Sequence, residues 1–167
     1  MVMKKLVVTT VIFVLLLFLS TGIQGQTAQP QLDEVKLIQQ FVGTWQMDVG
    51  KDSLNLWEVQ QYDKAFIGTG YHVFNGKKSF WFVMNWSYYP KEGKSKGYNL
   101  YAGGGYQTWI ASFDSENKWS ASFLRDFNPE VVIGKAESIL ETPTSCTITY
   151  FNVKGEKTGE QKFHKIK

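Results

Sequence analysis

The sequence predicts an all-β protein: a single antiparallel up-and-down β-barrel of eight to ten strands behind a short N-terminal helix. Three observations carry that expectation. From Thr44 onward, large apolar and polar residues alternate with a period near two, as half-buried strands do. Turn signals interrupt the alternation at spacings of roughly 8 to 14 residues. The connections are too short for the crossovers that parallel pairing needs. A meander this long must also protect its edges, and closing it into a barrel removes them. A two-sheet sandwich is the competing arrangement.

The chain opens with "MVMKK", an apolar run of 14 residues, "LVVTTVIFVLLLFL", and the small and polar "STGIQGQ". Positive, apolar and small-residue regions in that order read as a secretory signal peptide over 1–25. The apolar run falls short of the roughly 20 residues a membrane-spanning helix needs. An uncleaved anchor is the alternative. Cleavage after Gly22 or Gly25 leaves 145 or 142 residues, one ordinary domain. No cysteine follows the apolar run, which excludes lipid attachment at a new N-terminal cysteine. The expected product is secreted or periplasmic, with no integral membrane span. Loss of Lys4 and Lys5 lowers the formal charge from +3 to +1. The remaining lysine clusters sit in turn-like stretches, so no basic stripe suggests a nucleic-acid partner.

Residues 26–31, "QTAQPQ", read as a flexible exit, and 32–167 as the barrel domain. In "LDEVKLIQQFVG", Leu37, Ile38, Phe41 and Val42 share one side at helical spacing, and Gly43 supplies a stop. Strands are then expected over 44–49, 54–62, 65–74, 79–89, 97–103, 106–114, 118–127, 131–140, 146–153 and 160–167. Asn75-Gly76 is a strong hairpin signal. Pro129 and Pro143 are expected in connections. Glycines in "GTGY" and "AGGGY" suit a strongly curved sheet.

Several chemistries find no support. Cys146 is the sole cysteine, so no disulfide forms within the chain, and its place in "SCTITYF" suits a small buried side chain. The two histidines, His72 and His164, lie far apart, and no zinc spacing, nucleophile elbow or phosphate loop occurs.

Trp45 follows Gly43 and Thr44 at the start of the first strand, where it can turn inward and plug one barrel end against the helix. A short helix, a Gly-x-Trp entry and an up-and-down strand set resemble the lipocalin-like, or calycin, superfamily. More closely, "KGYNLYAGGGYQTWIASFDSENKWSAS" resembles a segment of uncharacterised bacterial lipocalin-like proteins. The resemblance implies a barrel over most of residues 41–167.

The aromatic excess is the functional signal. Aromatics form 16% of the chain, and "FWFVMNWSYY" is large and apolar on both faces. One face either lines a ligand cavity or fills the interior, and an exposed aromatic band for a partner is a third reading. The expected role is non-catalytic binding of a small hydrophobic or aromatic molecule, with Trp57, His72, Trp86, Trp109 and Arg125 in the lining and no cofactor. One alternative is a cavity enzyme of isomerase or peroxide type using Glu58, His72 or Asp126 as a base. Another is a heme-binding barrel resembling the nitrobindins, with His72 or His164 on the iron. The last is an interaction or structural barrel with a filled core. The leader generates the first prediction: protein recovered from an exporting host should have lost 22 or 25 residues by intact mass, whereas full-length chain in the membrane fraction would identify an anchor.

Overall fold

A computed structural model describes residues 32–167; the expected signal peptide (1–25) and exit (26–31) lie outside the described residues. Helix α1 (Glu34–Ile38) continues into a 3-10 turn (Gln39–Phe41). Ten strands follow: β1 (Gly43–Gly50), β2 (Ser53–Tyr62), β3 (Ala65–Phe74), β4 (Lys77–Tyr89), β5 (Lys94–Tyr101), β6 (Tyr106–Ser115), β7 (Lys118–Arg125), β8 (Asn128–Thr142), β9 (Ser145–Phe151) and β10 (Lys157–Lys165). Each pairs antiparallel with its neighbour in sequence, and β1 pairs with β10 to close the ring. The barrel is therefore closed, not a sandwich.

Local chemistry explains the element ends. Asp33 caps α1, its carboxylate accepting a hydrogen bond from the Lys36 amide at 3.1 Å. The β3–β4 hairpin turns on Asn75 (φ 49°) and Gly76 (φ 75°), the pair of positive angles a tight primed turn requires. Several expected boundaries move by two or three residues, two of them with a visible cause. Asp126 and Phe127 belong to the turn after β7, because both have left-handed backbones (φ 50° and 61°). Pro129 lies inside β8, which starts at Asn128, in the stretch before regular pairing with β7 resumes at Val132, so its missing N–H removes no ladder bond of that register.

The seam is short. Trp45 pairs with Lys165 and Gln46 with His164. Flanking bonds lengthen it: Thr44 N donates to Lys167 O at 2.7 Å, and Ile166 N donates to Thr44 O at 2.8 Å.

Helix α1 closes one end of the barrel. Ile38, Phe41 and Trp45 are almost fully buried there, and the Trp45 indole N–H donates to Phe41 O at 2.7 Å. The Lys165 ammonium lies 4.7 Å from the centre of the Trp45 ring and donates to Gln40 O at 2.8 Å. The helix also buries a charge that hydrophobic periodicity did not mark. Glu34 is only 7% exposed, its Oε1 accepts from the buried Phe113 amide at 2.9 Å, and its Oε2 has no partner among the described residues. Burial raises the Glu34 pKa; the Phe113 amide lowers it in part, and Asp114 adds a smaller upward push.

Glycines decide how the interior packs. Register sets Gly70 opposite Phe82, Gly97 opposite Trp109 and Gly134 opposite Phe123. A Cβ on Gly97 would collide with the Trp109 ring and sit 2.7 Å from Asn85 O. A Cβ on Gly68 would sit 2.5 Å from the Trp57 indole nitrogen. Two of these rings, Trp109 and Trp57, belong to a chain of aromatic contacts in the interior: Phe66–Trp86 at 5.5 Å, Trp86–Trp109 at 6.2 Å, Trp109–Trp119 at 5.3 Å, Trp119–Phe41 at 5.5 Å and Phe41–Trp57 at 5.9 Å between centroids. Such pairs contribute about 0.5–1.5 kcal/mol each beyond their burial.

Two predictions follow from this packing. Gly97→Ala should destabilise the barrel by about 1–3 kcal/mol, the usual cost of overpacking a filled site, read as a lower urea midpoint; an unchanged midpoint would refute the close approach. For Glu34 the folded pKa stands above the unfolded one, so ionisation disfavours the fold. Stability should fall as pH rises from about 4.5 through the raised folded value. That segment of the pH profile should flatten in Glu34→Gln, as measured by thermal melts across pH 4–7.

Candidate functional site

Side chains alternate in and out along each strand, and the inward sets leave the interior only partly filled. On the far side of the aromatic chain from α1 lies a cavity of about 450 Å³. Seventeen residues line it; nine are aromatic and none is charged.

A β-bulge on β4 shapes the wall. Gly70 pairs with Phe82 and Tyr71 with Phe80, which leaves Trp81 as the extra residue. Consecutive residues normally face opposite sides of a sheet, yet Trp81 and Phe82 both line the cavity, their rings in edge contact at 4.9 Å. Met84 continues the same wall below them, opposite Gly68. On the β7–β8 side Phe123, Ala121 and Ala136 line the cavity, and the two alanines, paired across the strands, leave much of its room.

Apart from Ser138 on β8, the polar lining groups fall into two sets. On β5 and β6, the Trp109 indole N–H donates to Asn99 Oδ1 at 3.1 Å, and Asn99 Nδ2 donates to the Tyr101 hydroxyl oxygen at 3.3 Å. Gln107, paired with Asn99, donates through Nε2 to Thr108 O at 3.0 Å and Leu124 O at 3.2 Å. Across the barrel on β9 and β10, the Tyr150 hydroxyl donates to Gln161 Oε1 at 2.8 Å. Burial pushes the Tyr150 phenol up to about 12, so it stays a neutral donor at ordinary pH. Cys146 packs below the cavity; burial, with a smaller push from Glu141, raises its thiol to about 12, which keeps it inert.

The five residues expected in the lining are not all together. Trp57 and Trp109 line the cavity. Trp86 points inward but is buried in the chain of rings beneath, between Phe66 and Trp109. His72 faces inward near the open end, where its Nδ1 lies 2.7 Å from Asn55 Oδ1 and its ring stacks on Trp81 at 4.5 Å; it touches the wall from the rim and is itself exposed. Arg125 is exposed at the end of β7, outside the cavity wall. The adjoining Asp126 accepts from the exposed Tyr106 hydroxyl at 2.5 Å.

The residues of the alternatives also have places. Glu58 faces outward and pairs with Lys78 at 2.5 Å. His164 is exposed on β10, on the face opposite the inward Phe163. Neither lines the cavity, and nor does Asp126. Among the described residues no three His, Cys, Asp or Glu side chains gather to hold a metal ion, and no helix is long and apolar enough to cross a membrane.

Sequence reasoning missed Trp81, Phe82, Tyr101, Gln107, Tyr150 and Gln161 as lining residues. For Trp81 the obstacle was the bulge, which breaks strand parity where both faces are aromatic. Tyr150 and Gln161 were within reach of a parity argument: Tyr150 stands two residues from the half-buried Ile148 and Gln161 two from the buried Phe163, both of which also line the cavity. Fold and site together define a closed ten-stranded antiparallel barrel with an aromatic, uncharged interior cavity. No protein-family model matches the chain, and no curated protein matches it.

Proposed function

We propose that the protein is an exported, non-catalytic carrier of a small, largely apolar or aromatic molecule, held in the barrel cavity, and that it belongs with the lipocalin-like barrels. The observation that carries the reading is the cavity of about 450 Å³ walled by nine aromatic residues. Its volume falls in the range of about 300–1,000 Å³ typical of small-molecule sites, which favours carriage over a filled interior. The closed ten-strand topology with a helix plugging one end supports the lipocalin-like assignment, and the N-terminal leader supports export. Binding would draw on apolar surface removed from water, worth about 25 cal/mol per Å² before ordering costs.

The wall favours carriage over catalysis for a specific reason. A general base must reach a substrate atom by hydrogen bond, and the cavity wall contains no carboxylate or imidazole. The neutral dye N-phenyl-1-naphthylamine tests the reading: its fluorescence should rise on uptake as tryptophan emission falls. Ala136→Phe, which fills the cavity beside Ala121, should weaken uptake by about tenfold or more while the melting temperature holds. Absence of uptake, or equal uptake by the filled variant, would defeat the carrier reading.

A further inference from the structure

Hydrogen-bond direction in the β5–β6 wall specifies more than an oily cavity. An indole N–H can only donate, so Trp109 fixes Asn99 Oδ1 as its acceptor. Asn99 must then present Nδ2 to Tyr101, and the Tyr101 oxygen accepts. That leaves the Tyr101 hydroxyl proton without an acceptor among the described residues, on a side chain that lines the cavity. Gln107 is fixed in the same way. Its Nε2 donates to two backbone carbonyls, which settles the amide's orientation and leaves Oε1 as a free acceptor.

Gln107 pairs directly with Asn99, and Tyr101 stands two residues further along β5 on the same face. The wall therefore presents one donor and one acceptor as diagonal neighbours, within reach of a single planar group. The whole lining is uncharged. An ionised group drawn inside would lose its water without meeting a counter-ion, which opposes its entry.

On the carrier reading above, we propose that the cavity selects a neutral, planar aromatic molecule bearing an amide-like edge, a carbonyl beside an N–H or O–H, and discriminates against carboxylates. The ligand carbonyl accepts from Tyr101, its N–H or O–H donates to Gln107 Oε1, and the ring system lies among Trp81, Phe82 and Trp119.

Equilibrium dialysis with three probes of one shape tests this: naphthalene-2-carboxamide, naphthalene-2-carboxylate and 2-methylnaphthalene. The carboxamide should bind at least about tenfold more tightly than the carboxylate, and more tightly than the methyl compound. Tyr101→Phe should cost the carboxamide about five- to tenfold, the range of one net hydrogen bond, and leave 2-methylnaphthalene unchanged; the methyl compound thus reports that the variant cavity is intact. Carboxylate binding equal to or tighter than carboxamide overturns the inference while leaving the carrier reading standing, as does an unaltered carboxamide affinity in Tyr101→Phe. Failure of all three probes to bind defeats the carrier reading and this inference together.

Discussion

Ring against glycine is the constraint on which the interior depends. A closed sheet curves tightly enough that inward side chains on adjacent strands compete for the same space. Here the competition is resolved pair by pair. Gly97 yields to Trp109, Gly70 to Phe82 and Gly134 to Phe123. The Trp109 and Phe82 rings occupy the space that a side chain on the facing glycine would need, and Phe123 lies within contact range of Gly134. The aromatic surface is thereby spread around the wall, and the middle stays open on the side away from the helix. Filling those glycine sites would push the rings inward and close the space they now surround.

The two ends of the barrel follow from the same arrangement. Near α1 the rings stack across the axis, because the helix adds Ile38 and Phe41 as a lid and Trp45 locks to Phe41 O. Further out no lid exists among the described residues, and small residues such as Ala121 and Ala136 face the interior. Burial thus grades from a solid plug to a hollow. Glu34 marks the boundary of the plug, a carboxyl held by the Phe113 amide in a place where its charge is disfavoured.

The fold was legible because alternation near period two is dictated locally, residue by residue, and the Asn75-Gly76 turn carries its geometry in its own chemistry. Trp45 as a plug was legible too, from the change of period after Gly43. The wall of the cavity was less so. Trp57 and Trp109 could be placed by parity, but parity fails at Trp81, where one inserted residue turns two successive rings to the same side. Trp86 illustrates a different limit. Its inward face could be read from the strand, but its depth along the axis depends on stagger between strands, which no single strand encodes. Arg125 failed for a third reason: the strand gives way at Asp126 to a left-handed turn, and the side chain leaves the wall.

The seam has a kinetic side. Its partners, Trp45 and Lys165, sit at opposite extremes of the folded domain's chain order. Hairpins between successive strands can assemble locally, but the join between first and tenth must bridge the longest loop in the molecule. Until β10 arrives, β1 remains an unpaired edge with its amides available to any passing strand. A chain emerging from its N-terminus would carry that exposed border throughout its synthesis, and only the final segment would withdraw it. A folding helper that shields such a border would therefore be needed from the emergence of β1 until the last strand latches it.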